Sequence, residues 1–204
     1  MAMERHLRVP GLPVDARVEV TGITIEELER AYEEFDQPDH TVELINGRLI
    51  VSPTASRRHG RLTERLGDVF FEIKRRNGWE VHTNLGVYCA VTRDRMVPDL
   101  MVLPREAPDH DTSHAVGHGA LLVAEVVSPG SAAADRDLKP RAYAQAGVPM
   151  FLLIDPVADK PVVTLMTEPG GTRYGTLTVA TQSETLRLPE PFDLTLDLAE
   201  LFGD

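Results

Sequence analysis

The chain has 204 residues, with 21 basic and 32 acidic side chains and a net charge of −11. That balance argues against a protein that coats polyanions non-specifically, because phosphate neutralisation supplies most of such affinity. Ordinary apolar and charged fractions, 42% and 26%, argue against disorder, and no apolar run is long enough to cross a bilayer.

The opening residues Met1-Ala2-Met3-Glu4-Arg5-His6 carry no apolar targeting segment, and the single cysteine, Cys89, excludes an intrachain disulfide framework. A reducing, cytoplasmic setting is expected. The length suits one sizeable core. Residues 1–20, with Pro10, Gly11 and Pro13, read as a loosely structured lead-in, and residues 21–204 as a single domain.

Thr24-Ile25-Glu26-Glu27 is a capping box that opens a helix to about Phe35, with Ile25, Leu28, Ala31, Tyr32 and Phe35 inward and Pro38 as its stop. Residues 42–51 read as a hairpin around Asn46-Gly47, the pair that supplies both positive φ angles of a type I′ turn. Pro53 closes it. Ser56 caps a long helix to about Arg76, striped by Leu62, Leu66, Val69, Phe70 and Ile73 and ended by Gly78. Residues 81–91 form a strand region, which the polar turn Thr92-Arg93-Asp94-Arg95 returns antiparallel into a strand over residues 97–103. Residues 105–119, rich in Pro, Asp, His and Gly, read as a surface loop. Residues 121–127 form a buried strand, Ser128 to Ser131 lead into a helix over 132–146, and Gly147 ends that helix. A further apolar strand covers 150–155. Alternating β structure follows over 162–166 and 177–180 around a Gly170-Gly171 turn, and an amphipathic segment, 194–202, packs back on the body.

Two of the apolar runs each contain one acid, Asp99 within 97–103 and Glu125 within 121–127. Continuous Leu/Val runs suit strands covered on both faces, where a carboxylate without a partner is costly. If the two strands are neighbours, both acids face one pocket. Two hard oxygen ligands beside a backbone carbonyl and waters make a Mg²⁺ or Mn²⁺ site. The other reading of either acid is a strand-end residue paired with an arginine.

Lys139, on the helix after the Glu125 strand, is the third member of this site, since an ammonium there can orient a water and stabilise charge on a phosphoryl oxygen. Pro140 disfavours helical geometry at Lys139, so the regular helix is expected to begin at Pro140 with Lys139 just outside it. The competing reading is an exposed lysine on the helix face. Glu43 interrupts an apolar strand and either adds a carboxylate to the site or pairs with Arg48 across the hairpin. His59 is either a ligand or donor to the acids or a surface residue. His110, His114 and His118 are spaced as zinc ligands on a helix would be, but Gly117 and Gly119 argue against a helix there. The row Arg57, Arg58, Arg61, Arg65, Lys74, Arg75 and Arg76 is a local basic face, either solvated or in contact with nucleic acid. No serine-nucleophile elbow, phosphate-binding glycine loop or dinucleotide fingerprint is present.

Taken in order, Glu43-Leu44-Ile45-Asn46-Gly47, the segment from Ser56 with His59, Val97-Pro98-Asp99, Glu125-Val126-Val127-Ser128-Pro129, Asp135 to Tyr143 and Ile154-Asp155-Pro156 resemble the PD-(D/E)XK nuclease superfamily. More narrowly, the chain resembles the Uma-two family of restriction endonuclease-like proteins. The resemblance implies an α/β (α+β) fold with a mixed central sheet flanked by helices, and phosphodiester hydrolysis by an activated water. It implies Asp99 and Glu125 as metal ligands, with the Val126 carbonyl as a further ligand and Mg²⁺ or Mn²⁺ as the ion. Val127 stands where the superfamily pattern has lysine; Lys139 is the residue that matches instead, with Glu43 as an additional acid and His59 and Asp137 as secondary candidates. The function so implied is a DNA endonuclease, a homodimer because cutting a duplex needs two active centres. The alternatives are a metal-dependent hydrolase of RNA or nucleotides, or a catalytically inactive binding module on the nuclease fold.

Overall fold

The local signals near the N-terminus are realised as hydrogen bonds in the computed structural model, which describes residues 18–20, 24–35, 40–53 and 55–203. Thr24 N–H donates to Glu27 Oε2 at 2.8 Å, and Glu27 N–H donates back to Thr24 Oγ1 at 3.3 Å. That box starts α1 (Ile25–Phe35). The proline stop foreseen at Pro38 lies outside the described residues, as does the lead-in up to residue 17. Val18–Val20 form a short strand, β1, antiparallel to β3. The hairpin is β2 (His40–Ile45) and β3 (Arg48–Pro53), turning on Asn46 and Gly47 at φ 50° and 70°. Leu28 and Tyr32 of α1 pack on Val42, Leu44, Leu49 and Val51 of this hairpin.

Ser56 Oγ accepts from His59 N–H to start α2 (Arg57–Asn77), and Gly78, at φ 70°, closes it with a bond to the Lys74 carbonyl. The strands β4 (Trp79–His82), β5 (Gly86–Cys89), β6 (Asp94–Met96) and β7 (Leu100–Pro104) follow. Here the sequence expectation is corrected. The strand foreseen over 97–103 begins only at Leu100, because Pro98 has no N–H to give a ladder and the chain bends through residues 97–99, and residues 94–96 before the bend form β6 in the other sheet. The reversing turn occupies residues 90–93, so Asp94 already belongs to β6.

The histidine-rich segment is irregular apart from β8 (His114–Val116), which pairs parallel with β5, and a 3₁₀ turn at Gly117–Gly119. Beyond it come β9 (Leu122–Val126), a π turn (Ala134–Leu138) continuous with α3 (Lys139–Gln145), and β10 (Met150–Asp155). The long hairpin of β11 (Val162–Gly170) and β12 (Arg173–Thr181) is followed by β13 (Thr185–Leu188) and β14 (Leu194–Asp197). The segment read as one amphipathic stretch over 194–202 is half strand, half helix, ending in α4 (Leu198–Phe202).

The result is the mixed α/β fold expected, its strands divided between two mixed six-stranded sheets flanked by helices. One has the order β1-β3-β2-β6-β5-β8 and the other β12-β11-β10-β9-β7-β4, beside a small β13-β14 pair. The second sheet is the middle layer. Leu100, Val102, Leu122, Ala124 and Val126 face α2, where Phe192 meets Phe70 and Trp79 edge-on at 5.5 and 5.3 Å. Met101, Leu103, Val123 and Val127 face the other way, towards Tyr143 of α3 and Ile45, Val87 and Met96 of the first sheet. Strand alternation therefore aims Glu125, between Val123 and Val127, into the layer between the sheets. No helix among the described residues is long and apolar enough to cross a membrane.

Asp94 ties the two hairpins of the first sheet together by accepting the Asn46 N–H at 2.8 Å, and burial pushes its carboxyl above the usual carboxylate range. A raised folded value means that this group's stabilising share is complete below the unfolded pKa, near 3.9, and is lost as pH rises through the folded one. Asp94→Asn keeps an acceptor for Asn46 and cannot ionise, so its thermal midpoint at pH 7 should equal or exceed that of the wild type. Asp94→Ala leaves that N–H without its acceptor and should cost about 1–2 kcal/mol in urea unfolding.

Candidate active site

The ladder between β7 and β9 runs Val102↔Leu122, Met101↔Val123 and Leu100↔Ala124. One residue further, at the bend that follows Pro98, Asp99 reaches the end of β9. The Asp99 carboxylate is anchored at both oxygens: Oδ2 accepts the Val126 N–H at 2.7 Å, and Oδ1 lies 2.7 Å from His59 Nε2 in the first turn of α2. Glu125 turns inward. Its Oε1 accepts from Lys139 Nζ at 2.9 Å and from the Tyr143 hydroxyl at 2.6 Å.

Lys139 is helical, at φ −63° and ψ −41°, where Pro140 had been expected to place it outside the helix. The π turn supplies the reason. In a regular α-helix the Pro140 ring would strike the carbonyl four residues earlier; the wider turn, closed by Lys139 N–H on the Ala134 carbonyl, relieves that clash without ending the helix. Asp135, Lys139 and Tyr143 consequently share one buried face. Nζ of Lys139 also lies 3.1 Å from Glu43 Oε1 and 3.6 Å from Asp135 Oδ1. Glu43 in turn accepts the Val97 N–H at 3.0 Å, which fixes the bend that presents Asp99.

Four carboxylates thus surround a single ammonium. Glu43, Glu125, Asp135 and Lys139 are no more than 5% exposed, whereas the side chains of Asp99 and His59 keep 24% and 15% exposure, so the cluster opens to solvent on their side. Burial pushes Glu125 well above the usual carboxylate range; Lys139 opposes this, and the charges of Asp99, Asp135 and Glu43 reinforce it. Burial likewise raises Asp135. Burial alone would lower Lys139, but the combined fields of Glu125, Glu43, Asp135 and Asp99 outweigh it and hold the ammonium well above its ordinary value. Burial lowers His59 too, and the bond and charge of Asp99 overcome it, so the imidazole is raised. Tyr143 is raised by burial and then by Glu125, and it remains a donor.

This donor set fits a hard divalent ion. It consists of carboxylate oxygens with surplus negative charge, and Asp135 Oδ1 is buried with no hydrogen-bond partner. Because Lys139 stands between Glu43, Glu125 and Asp135, no group of three or more acids, histidines or cysteines among the described residues has ready-made ligand spacing. Mg²⁺ asks for less than that, taking one or two carboxylates and keeping its waters. Asp99 and Glu125, with the Val126 main chain beside them, provide that number.

Of the residues singled out from sequence, Asp99, Glu125, Lys139, Glu43 and His59 come together. Asp137 does not: its side chain is 84% exposed and lies 3.8 Å from Arg141. The buried acid of that turn is Asp135, two residues earlier, and its spacing of four from Lys139 was the signal for it. Tyr143, four further on, continues the same face. Glu43 is opposite Ile50 and bound to Lys139; Arg48 is opposite Ile45. The loop histidines do not converge as a set of three, although His110 and His114 share Asp111, at 3.9 and 2.9 Å. His110 stacks on Tyr88 at 3.5 Å, His114 is buried between the Tyr32 hydroxyl and Asp111, and His118 is exposed.

The fold is a mixed α/β architecture with a buried acid cluster between its sheets. Residues 25–199 match the Uma2 family, described as "Putative restriction endonuclease", and the chain belongs to that family. Among solved structures, it is similar to a "putative nuclease belonging to DUF820" from Anabaena variabilis ATCC 29413. The TM-score is 0.67 at 18% identity, over 89% of this chain and 98% of that one. No protein of curated function matches.

Removing the ammonium leaves buried carboxylates uncompensated, so Lys139→Met should lower stability at pH 7 by about 3–5 kcal/mol in urea unfolding. The deficit should shrink as pH falls towards 5, where protons replace the missing charge on the raised carboxyls. An unchanged deficit would mean that Lys139 matters for packing alone.

Proposed function

We propose that this protein is a Mg²⁺- or Mn²⁺-dependent DNA endonuclease that acts as a homodimer, one copy for each strand of the duplex. The observation that carries this reading is the convergence of Asp99, Glu125, Glu43 and Lys139, at the positions where the chain resembles a nuclease, on one acid-rich cleft that opens at Asp99. Family membership supports a nucleic-acid substrate.

In this reading Asp99 and Glu125 hold the ion, with the Val126 carbonyl as a further oxygen donor. Bound there, the ion supplies Lewis-acid polarisation of a phosphoryl oxygen and an acidified water. The protein does the rest. His59 and the Val126 N–H fix the Asp99 carboxylate in one orientation, and Tyr143 fixes Glu125. Lys139, positioned by Glu43 and Asp135, presents an ammonium that stabilises charge building on the phosphate oxygens as a water oxygen bonds to phosphorus and the leaving oxygen departs.

Metal-dependent nicking of supercoiled plasmid should be present in wild type and fall at least about 100-fold in Asp99→Ala and Glu125→Ala, since each removes a ligand. Mn²⁺ titration should show tight binding by wild type and weakened binding by Asp99→Asn. Equal nicking by wild type and both alanine variants would overturn the assignment. Turnover of RNA or nucleotides in preference to duplex DNA would replace the substrate and leave the site in place.

A further inference from the structure

β12 is an outer strand of the middle sheet: it pairs with β11 on one side, and among the described residues no strand pairs with it on the other. A row of amides left open in this way is a template for another strand, and proteins blunt such edges with charge, proline or shortness. The opposite edge of the same sheet is blunted. There β4 has four residues and carries Glu80 and His82, bonded to each other at 2.9 Å. β12 has nine residues, and from Tyr174 to Gln182 no side chain is charged, in a chain of net charge −11. Residues 175–179 are all exposed, Leu177 and Val179 to 59% and 60%.

Hydrogen bonds at the end of the strand show which of its amides are open. Gln182 N–H donates inward, to the Pro161 carbonyl just before β11, whereas Thr181 N–H donates outward, to Glu184 Oε2 at 2.7 Å. Amide direction alternates along a strand, so Thr176, Thr178 and Ala180 turn theirs to β11, and Leu177 and Val179 present N–H and C=O to the open edge. A second β12, antiparallel about a two-fold axis at Thr178, sets Leu177 of each copy opposite Val179 of the other. Both residues have edge amides, so each pair exchanges two ladder bonds, and the four apolar side chains fall on one face.

The ends of the strand suit the same register. It sets Gly175 opposite Thr181, whose N–H Glu184 already occupies, so the ladder closes after the two apolar pairs and Gly175 brings no side chain against that carboxylate. Arg173, exposed and without an acid partner among the described residues, comes to the end of the other copy that carries Glu184. Glu168, the other acid beside the strand, is held by the Thr176 hydroxyl at 2.7 Å.

We propose that β12 is the surface through which two copies of this chain associate, by antiparallel pairing of Leu177 with Val179 into one sheet continuous across the dimer. It rests on the endonuclease reading for the need of two copies, and adds where they join. Such an interface is isologous, the same strand serving both copies.

The test is sedimentation equilibrium across a concentration series. Wild type should sediment as two chains. Leu177→Lys/Val179→Lys places like charges opposite one another at positions already open to solvent, and it should weaken association about 100-fold or more with its far-ultraviolet circular dichroism unchanged. Single cysteines read the register, since Cys89 is buried. Thr178→Cys meets its own copy across the axis at the spacing of a pair without ladder bonds, about 4.5 Å between Cα atoms, and should link into a covalent dimer when oxidised with diamide. Thr176→Cys, whose copy lies four residues along the partner strand, should not. A monomeric wild type, a lysine variant that associates as tightly as wild type, or equal linking at 176 and 178 would each overturn the proposal. Plasmid nicking is read separately: a monomer that nicks with Mg²⁺ would remove the interface and leave the endonuclease chemistry, and a β12 dimer that nicks with no metal would do the reverse.

Discussion

One ammonium set among four carboxylates is the constraint around which this structure is built. Ion pairs withdrawn from water repay their desolvation only with close geometry and further hydrogen bonds, and a partner left alone is strongly destabilising. Lys139 meets Glu125 and Glu43 at 2.9 and 3.1 Å, and each acid takes a second donor, Tyr143 for Glu125 and the Val97 N–H for Glu43. These bonds join four separate parts of the chain: β2, the bend before β7, β9, and the π turn with α3. A packing shift in any one of them would strand charge in a layer otherwise filled by Tyr143, Val123, Val127, Met101 and Ile45.

Locally encoded features were legible in the sequence. The Thr24–Glu27 box, the Asn46-Gly47 turn and the Ser56 and Gly78 caps involve residues within four positions of one another, so their chemistry is written side by side. The acids at 99 and 125 were legible for a different reason, since a carboxylate inside an apolar run demands a partner wherever the run folds. Less legible was anything decided by the backbone between elements. Nothing short-range says that β6 and β7 belong to different sheets; Pro98 marks a break, but only the packing of two layers makes it a crossover.

The π turn is the clearest case. With α-helical spacing Pro140 argues Lys139 out of the helix, and the acid of that turn can be placed at 137 as readily as at 135. Inserting one residue's worth of extra turn reverses both conclusions, because it accommodates the proline and rotates Asp135 inward while Asp137 turns to solvent beside Arg141. Such a turn is held by tertiary contacts, here by Glu125 and Glu43 drawing on Lys139. It has no composition signature of its own.

The same charge distribution sets the terms on which an anion could approach. A phosphate coming to the mouth at Asp99 meets carboxylates in excess of cations, and two like charges at 4 Å repel by about 1 kcal/mol in water and by about 4 at the effective dielectric near a protein surface. An acidic cleft that is to accept a phosphodiester therefore needs positive charge from beyond its own ammonium. A divalent ion between Asp99 and Glu125 would supply part of it at the reacting phosphate.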